Sequence, residues 1–385
     1  MERNRMSTAG ITILSVGFAI WAFPVSASAA SLSFDRVIVF GDSLSDSGNV
    51  AIVTAPTFQQ VPFGGLVPTF AYENGRFTNG ATWVEDLAGS FGLSALPSLS
   101  GGTNFAFGGA KTEPVRIVPS NPPSLLRQFE AFQLKTGRIA PSNALYVIWG
   151  GANNLFDAAV AKQAGEDKVS DLIISKAVSD ITTIVRRLTA EGAIDIVVPN
   201  MVNLGLIPLS TRGTLGLAAA SMDVSLKFNA KLRSALSGFR SNPNLNLIEV
   251  DAFGFLQSIV ASPSSFGLKN IQDPCVDLTG VCSNPNEYLF YDGIHPTATF
   301  HMQFAKFVRG QITGIPDRAQ ITSDSVSFVH ANNSTPIPDP SKLPGVIASG
   351  LLLGGSIFLR HKSNKNNKPA LTSKSPKHEQ QSILR

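Results

Sequence analysis

Short apolar runs alternate along the chain with longer stretches in which apolar residues recur at helical spacing. Five of the runs are typical of buried strands: Arg36 to Phe40, Thr103 to Phe107, Ala144 to Trp149, Asp195 to Pro199 and Asn246 to Val250. Four stretches between them predict helices: Thr82 to Ser90, Leu125 to Lys135, Val169 to Glu191 and Leu217 to Ser237. Because this alternation is typical of a parallel sheet with crossover helices, we predict an α/β fold, a three-layer α/β/α sandwich around a mostly parallel sheet of five strands.

The clearest helical pattern lies between Val169 and Glu191. Its apolar residues recur every three or four positions and should face the core: Leu172, Ile173, Ala177, Ile181, Ile184, Val185 and Leu188. The charged residues of the same stretch should face away from the core: Lys176, Asp180, Arg186 and Arg187.

The first predicted strand ends abruptly in small polar residues. The apolar run Val37 to Phe40 is followed directly by Gly41-Asp42-Ser43. Open α/β sheets bind ligands beyond the carboxyl ends of their strands, which is where this serine would lie. Ser43 is therefore a candidate nucleophile. The alternative is that Asp42 and Ser43 only cap a helix that follows.

A candidate base occurs near the other end of the chain, in the segment Tyr291 to Thr297. A serine hydroxyl is a weak nucleophile near neutral pH, so it needs a general base such as imidazole and a carboxylate that fixes the imidazole tautomer. Asp292 and His295, three residues apart, provide both groups. His301 lies in a further helical pattern, which runs through Phe300, Phe304, Phe307 and Val308. It should have a packing or surface role, and His330 should be solvated.

Two glycine-containing segments follow predicted strands, Asn104 to Ala110 and Trp149 to Asn154. Backbone N–H groups at glycine can approach a ligand closely because no Cβ is in the way. Asn153 adds a side-chain amide. Donors of this kind stabilise a developing oxyanion, each by a factor of about 10² to 10³ in rate. Taken singly, each segment is also typical of a tight turn.

The beginning of the chain predicts export. Arg3 and Arg5 precede an apolar run, Ile11 to Val25, which ends in the small residues Ala27-Ser28-Ala29. This pattern predicts a cleaved signal peptide over residues 1–30, because the apolar run is short for a membrane span and ends in an A-x-A site. An uncleaved N-terminal anchor is the alternative.

The end of the chain predicts a tether. Residues 332–342 form a proline-rich linker, and residues 343–359 are apolar and at the lower length limit for a membrane-spanning helix. The basic residues in 360–385 should remain in the cytoplasm, which leaves the body of the protein, residues 31–331, outside it. A buried core helix over 343–359 is the alternative.

The charge distribution does not indicate a nucleic-acid partner. The net charge is +4, of which +1 lies in residues 1–5 and +6 in residues 360–385, so the segment between them carries −3. A mildly acidic body without a basic stripe does not suit a phosphate backbone.

Cys275 and Cys282 are the two cysteines of the chain. In an exported protein we expect them to form a local disulfide that fixes the loop before Tyr291. Two free thiols are the alternative, and a zinc site needs more ligands than this loop contains. We predict no metal and no cofactor.

Five motifs occur in order between Val37 and Val308: Phe40 to Asn49, Gly75 to Gly80 with Trp83, Asn104 to Ala110, Gly151 to Asn153, and Asp292 to Thr297. Together they resemble the GDSL, or SGNH, hydrolases. Within that family they resemble the lipase/acylhydrolase branch that includes bacterial phospholipases and hemolysin-like esterases. The resemblance implies the flavodoxin-like SGNH-hydrolase fold. The order Pro338-Asp339-Pro340, apolar segment, basic tail also resembles the bacterial PEP-CTERM sorting signal.

The resemblance implies a role for each motif. Ser43 would be the nucleophile, with Asp292 and His295 as the acid-base pair. The Ser43 amide, the Gly109 amide and the Asn153 side chain would form the oxyanion hole. Gly109 is preferred to Gly108 because it lies five residues after Asn104, as in the family.

One position departs from the family pattern. Relatives usually read Gly-x-Asn-Asp where this chain has Asn154 in the last place, and we expect this to loosen the hydrogen bonding behind Asn153.

These observations predict an exported serine esterase or lipase, outside the cytoplasm at the cell surface or membrane. It would hydrolyse carboxylic acyl esters through an acyl-enzyme intermediate, and the C-terminal segment would link it to a membrane. A carbohydrate O-acetylesterase or an acyltransferase on the same site is an alternative, and so is a non-catalytic surface module. The oligomeric state is not predicted.

Overall fold

Four parallel strands form the central sheet, which a computed structural model describes for residues 33–54, 72–113, 122–277 and 280–315. In spatial order they are β1 (Arg36–Gly41), β2 (Ala144–Trp149), β3 (Asp195–Pro199) and β4 (Asn246–Val250). Every residue of β2 is buried, as expected when helices cover both faces of a parallel sheet. The predicted signal peptide, linker, C-terminal apolar segment and basic tail lie outside the described residues.

Helices lie on both sides of the sheet, so the predicted α/β/α architecture is confirmed. They are α1 (Asn49–Thr54), α2 (Trp83–Ser90), α3 (Leu125–Thr136), α4 (Ala152–Gln163), α5 (Asp167–Ala190), α6 (Pro208–Thr211), α7 (Leu217–Leu236), α8 (Ala252–Ala261) and α9 (Ala298–Thr313). The four helices predicted from periodicity are α2, α3, α5 and α7, and their ends lie within two residues of the predicted bounds. Within the described ranges, none of the helices is both long and apolar enough to cross a membrane.

The prediction of a fifth strand at Thr103 to Phe107 is wrong. This segment runs along the outer edge of β1, where backbone hydrogen bonds of 2.8 and 3.1 Å join it to Val39. On its other side, the Asn104 N–H donates to the Leu96 carbonyl at 3.0 Å and the Ser98 N–H donates to the Asn104 carbonyl at 2.7 Å. The Asn104 side chain accepts from the Ala106 N–H, and the Asn49 amide donates to the carbonyls of both residues. The segment thus makes isolated bridges on both sides rather than a continuous ladder, and the regular sheet has four strands.

Two residues of α5 lie on the opposite side from the one predicted. Leu172 is 69% exposed, whereas Asp180 is buried. The Asp180 carboxylate accepts hydrogen bonds from Thr112 Oγ1 at 2.9 Å and Lys176 Nζ at 3.0 Å. A carboxylate can be buried when it is paired and hydrogen-bonded. Lys176 lies one turn away in the same helix, but Thr112 is 68 positions away and leaves no trace in the periodicity of α5.

A small subdomain of short strands follows α8. It contains β5 (Asn270–Pro274) paired with β8 (Tyr288–Phe290), and β6 (Val276–Asp277) paired with β7 (Gly280–Val281). Cys275 and Cys282 form a disulfide that brackets β6 and β7, with their Cα atoms 4.9 Å apart. The Val276 N–H donates to the Tyr291 carbonyl at 2.7 Å, so the disulfide-bonded hairpin rests on the segment that leads to Asp292.

His301 joins α9 to the start of α2. Its side chain is buried, and its Nδ1 accepts the backbone N–H of Trp83, the first residue of α2, at 3.2 Å. Burial lowers the pKa of His301 to about 3, and its repulsion from His295 acts in the same direction. The ring is therefore neutral and acts as a hydrogen-bond acceptor at physiological pH.

We expect His301 to make the fold acid-sensitive. Its pKa in the folded state is about 3, and in the unfolded chain it returns to about 6.5. Between these values the unfolded chain binds more protons, so the free energy of unfolding falls as pH decreases, with a slope approaching about 1.4 kcal/mol per pH unit from this group. His301→Asn keeps an acceptor near Nδ1 but does not titrate.

Urea unfolding of both proteins between pH 7.5 and 4.5 measures this contribution. His301→Asn should be less stable at pH 7.5 but should lose less stability on acidification. Contributions from the carboxyl groups cancel in the comparison. Parallel stability curves for the two proteins would contradict the assignment.

Candidate functional site

The end of β1 is fixed by its neighbours so that Ser43 lies at the carboxyl edge of the sheet. The Gln128 side chain accepts the Gly41 N–H and donates to the Gly41 carbonyl, both at 2.9 Å. A Cβ at Gly41 would lie 2.7 Å from the Trp149 carbonyl oxygen, so the close approach of β2 requires glycine. The chain then turns, and Asp42 Oδ1 accepts the Leu44 N–H at 3.1 Å.

The structure brings Ser43, His295 and Asp292 together. Ser43 Oγ lies 2.8 Å from His295 Nε2, and His295 Nδ1 lies 2.8 Å from Asp292 Oδ2. Asp292 Oδ1 accepts the backbone N–H groups of Ile294 and His295, each at 2.7 Å. This turn explains why Asp292 and His295 are three residues apart. It brings the Asp292 carboxylate against Nδ1 of the His295 ring, the nitrogen that does not contact Ser43.

The pKa values of two buried carboxyl groups of the site are shifted in opposite directions. Burial raises the pKa of Asp42 to about 6. Burial also acts to raise the pKa of Asp292, but attraction to His295 and the hydrogen bonds from His295 and Tyr72 outweigh it, so this pKa lies below its ordinary value. Asp292 is therefore an anion near neutral pH, paired with an imidazole that contacts a serine.

The two glycine-containing segments reach the same pocket. Gly109 and Asn153 line it together with Ser43 and His295. The Gly108 N–H donates to Asp46 Oδ2 at 2.9 Å, so this amide is already engaged, whereas Gly109 faces the pocket with a φ of +74°.

The Asn153 amide is held from behind. Its Nδ2 donates to the Ala110 carbonyl at 3.0 Å, which fixes the orientation of the amide at the pocket. The loosening expected from Asn154 stays a prediction, and the Asn154 side chain is itself engaged. Asn154 Oδ1 accepts the Thr112 N–H at 2.9 Å, and Thr112 Oγ1 donates in turn to the buried Asp180.

Apart from these polar groups, the pocket walls are mainly apolar and come from β2, α4, α8, α9 and the loop after β3. They include Trp149, Phe156, Leu204, Ile207, Leu256 and Phe300. In the described part of the chain, no group of three or more His, Cys, Asp or Glu side chains is arranged to hold a metal ion.

Three contributors to the site were not predicted from the sequence: Tyr72, Gln128 and Asp180. The Tyr72 hydroxyl donates to Asp292 Oδ2 at 2.7 Å from 220 positions earlier in the chain. Gln128 and Asp180 belong to helices whose periodicity indicates only which face is buried. Gln128 bonds to Gly41 and Asp180 to Thr112, and no local spacing indicates these distant partners.

Comparisons with known proteins indicate one family. A family model described as GDSL-like lipase/acylhydrolase matches residues 37–308. Acetylajmalan esterase 1 of Rauvolfia serpentina is 27% identical over 346 residues, covering 76% of this chain and 90% of that protein. Esterase EstA of Pseudomonas aeruginosa is also 27% identical, over 337 residues that cover 76% of this chain and 50% of that protein.

Solved structures give a weaker likeness. The crystal structure of LAE5, an alpha/beta hydrolase enzyme from the metagenome of Lake Arreo, Spain, is 14% identical with a TM-score of 0.40, covering 73% of this chain and 96% of that one. Likeness at this level carries no argument about function. The related sequences support a hydrolase that acts on esters. Because the family model spans well over half of the sequence, the chain belongs to the GDSL-like lipase/acylhydrolase family.

Proposed function

We propose that the protein is a serine esterase that hydrolyses carboxylic acyl esters with Ser43 as nucleophile, His295 as general base and Asp292 as the carboxylate that orients the base. One observation carries the proposal. The continuous chain of contacts from Ser43 Oγ through both ring nitrogens of His295 to Asp292 Oδ2 has both distances at 2.8 Å. This is the arrangement that activates a hydroxyl for acyl transfer.

In the proposed reaction, Ser43 Oγ attacks the ester carbonyl carbon while its proton moves to His295 Nε2. Asp292 stabilises the imidazolium that forms. The amides of Ser43, Gly109 and Asn153 stabilise the oxyanion. Collapse of the tetrahedral intermediate expels the alcohol, which takes the proton from His295. Water then attacks the acyl-enzyme with His295 again as base, and the products are the free acid and the regenerated serine.

The pocket favours esters with a hydrocarbon acyl group. Its apolar walls, including Phe156, Ile207 and Leu256, lie beside Ser43 and His295. Each methylene buried there would contribute about 0.8 kcal/mol to binding. This supports an ester with several acyl carbons rather than an acetylated carbohydrate. Membership of the phospholipase and hemolysin-like branch stays a prediction from the sequence, and an acyltransferase activity on the same site stays its alternative.

Export is part of the proposal. The disulfide between Cys275 and Cys282 supports an oxidising compartment, where such bonds persist. The signal peptide at 1–30, the linker at 332–342, the membrane or sorting segment at 343–359 and the tail at 360–385 remain predictions.

Ser43→Ala and His295→Ala should each lower kcat/KM for a short p-nitrophenyl ester by at least about 10³-fold, because the nucleophile and its base act as one unit. Labelling with a fluorophosphonate should be lost in Ser43→Ala, which separates an esterase from a binding module. Ser264→Ala, at an exposed serine, is the matched control. Unchanged turnover in either site variant would disprove the assignment.

Asn153→Ala should reduce kcat by about 10²-fold or more with little change in KM, because an oxyanion donor acts mainly in the transition state. Steady-state kinetics on the same ester measures this effect. The exposed Asn244→Ala is the control and should retain full activity. A loss in Asn153→Ala of less than twofold would exclude Asn153 from this role.

Leu256→Phe should shorten the acyl chains that the pocket accepts. The larger ring would fill space beside the nucleophile, so kcat/KM for a hexanoate ester should fall by about tenfold relative to the acetate ester. Leu134→Phe, at a side chain that is 87% exposed, should leave the ratio unchanged. An unaltered hexanoate-to-acetate ratio in Leu256→Phe would place the acyl chain elsewhere.

A further inference from the structure

We infer that Tyr72 is a positioning residue of this site, which holds Asp292 through its hydroxyl and moderates how strongly the carboxylate supports the His295 imidazolium. The inference rests on the proposed function. It assigns a role to a residue outside the motifs by which the family was identified, since Tyr72 precedes Gly75 and follows the Phe40 to Asn49 segment.

The hydrogen bonds of Asp292 leave Oδ2 free to accept a second donor, which is the Tyr72 hydroxyl. Oδ1 accepts two backbone N–H groups of its own turn, from Ile294 and His295. Oδ2 accepts from His295 Nδ1 at 2.8 Å and from the Tyr72 hydroxyl at 2.7 Å. The carboxylate is buried, so the phenol provides a donor that water would provide at an exposed site. Tyr72 and His295 thus share one oxygen atom.

The Tyr72 ring is held by packing that does not depend on its hydroxyl. Its centroid lies 5.5 Å from that of Tyr291, at an interplanar angle of 80°, and 6.5 Å from that of Phe77. It also packs against the cluster around the disulfide of Cys275 and Cys282. A phenylalanine at position 72 would keep these contacts and remove only the donor.

The phenol is a donor throughout the working pH range. Burial raises the pKa of Tyr72 far above its usual value, and the charge of Asp292 adds to this effect. A neutral O–H therefore faces the carboxylate. Its donation draws negative charge away from Oδ2, the oxygen that must stabilise the positive imidazole during catalysis. Without it, Asp292 would hold the protonated His295 more strongly but with less fixed geometry.

Other titratable groups of the described residues lie around the Asp292–His295 pair. They are Asp42 after β1, Tyr291 beside Asp292, His301 of α9, and Glu73, whose charge acts on Tyr291. None of these side chains is altered in Tyr72→Phe. A difference in pH dependence between this variant and the wild type therefore reports on the Tyr72 hydroxyl.

Tyr72→Phe tests the inference with the full-length protein and a short p-nitrophenyl ester between pH 5 and 9. We expect kcat to fall by about threefold to tenfold with KM nearly unchanged, because the orientation of the base is less fixed. The midpoint of the acid limb of kcat/KM should move to higher pH, because Asp292 without this donor stabilises positive charge on the base more strongly. A purely structural role would not move this midpoint.

The matched control is Tyr146→Phe, which removes the hydroxyl of another tyrosine with a buried ring, one that donates to the Pro141 carbonyl at 2.9 Å. Its acid limb should coincide with that of the wild type. If Tyr72→Phe folds poorly, 3,5-difluorotyrosine at position 72 keeps the ring and strengthens the donor, so the acid midpoint should then move down.

Two outcomes distinguish a failure of the role of Tyr72 from a failure of the proposed function. An acid limb and kcat in Tyr72→Phe equal to those of the wild type, with Ser43→Ala inactive, would overturn the role of Tyr72 and leave the esterase intact. Absence of esterase activity and of fluorophosphonate labelling at Ser43 in the wild type would overturn the proposed function itself, and the role of Tyr72 with it.

Discussion

A buried carboxylate must have its charge compensated by hydrogen bonds, and the organisation of the site depends on how Asp292 meets this requirement. Its oxygens accept from the turn that contains it, from the imidazole of His295 and from Tyr72. The donors come from segments more than 200 residues apart, one before α2 and one before α9. The same contacts that compensate the charge therefore fix the relative positions of the two ends of the domain.

The same principle organises the loop after β1. The buried Asp46 carboxylate accepts the backbone N–H groups of Gly48, Asn49 and Gly108 at 2.6 to 2.9 Å. It thereby links the loop that carries Ser43 to the loop that carries Gly109. Removing one donor from such a network leaves an uncompensated buried group, which is costly in a medium of low polarity. The relative position of these two loops thus depends on Asp46, a buried carboxylate that takes no part in the proposed chemistry.

The apolar pocket and the polar loops form on the same edge of the sheet because the strands are parallel. All four strands present their carboxyl ends at this edge, and the segments that follow β1, β2 and β3 contribute Ser43, Asn153 and Leu204 to one pocket. The acid-base loop reaches this edge by another route, through the disulfide-bonded subdomain between α8 and α9. The nucleophile and the acid-base pair therefore come from different parts of the fold and meet at one edge of the sheet.

The sequence by itself determined the α/β class, the four sheet strands and the bounds of α2, α3, α5 and α7. A helix buried on one face has apolar residues at helical spacing, and a strand buried on both faces has a continuous apolar run. It also predicted that Ser43, Asp292 and His295 lie together, because the chemistry restricts the residue types and a local turn explains the spacing of the last two.

Only the tertiary structure decided that Thr103 to Phe107 is not a regular strand, that Asp180 is buried and that Tyr72 reaches Asp292. Each of these depends on contacts with other segments of the chain. For Asp180 and Asp292, the cost of burying the carboxylate depends on those partners rather than on the residues beside it.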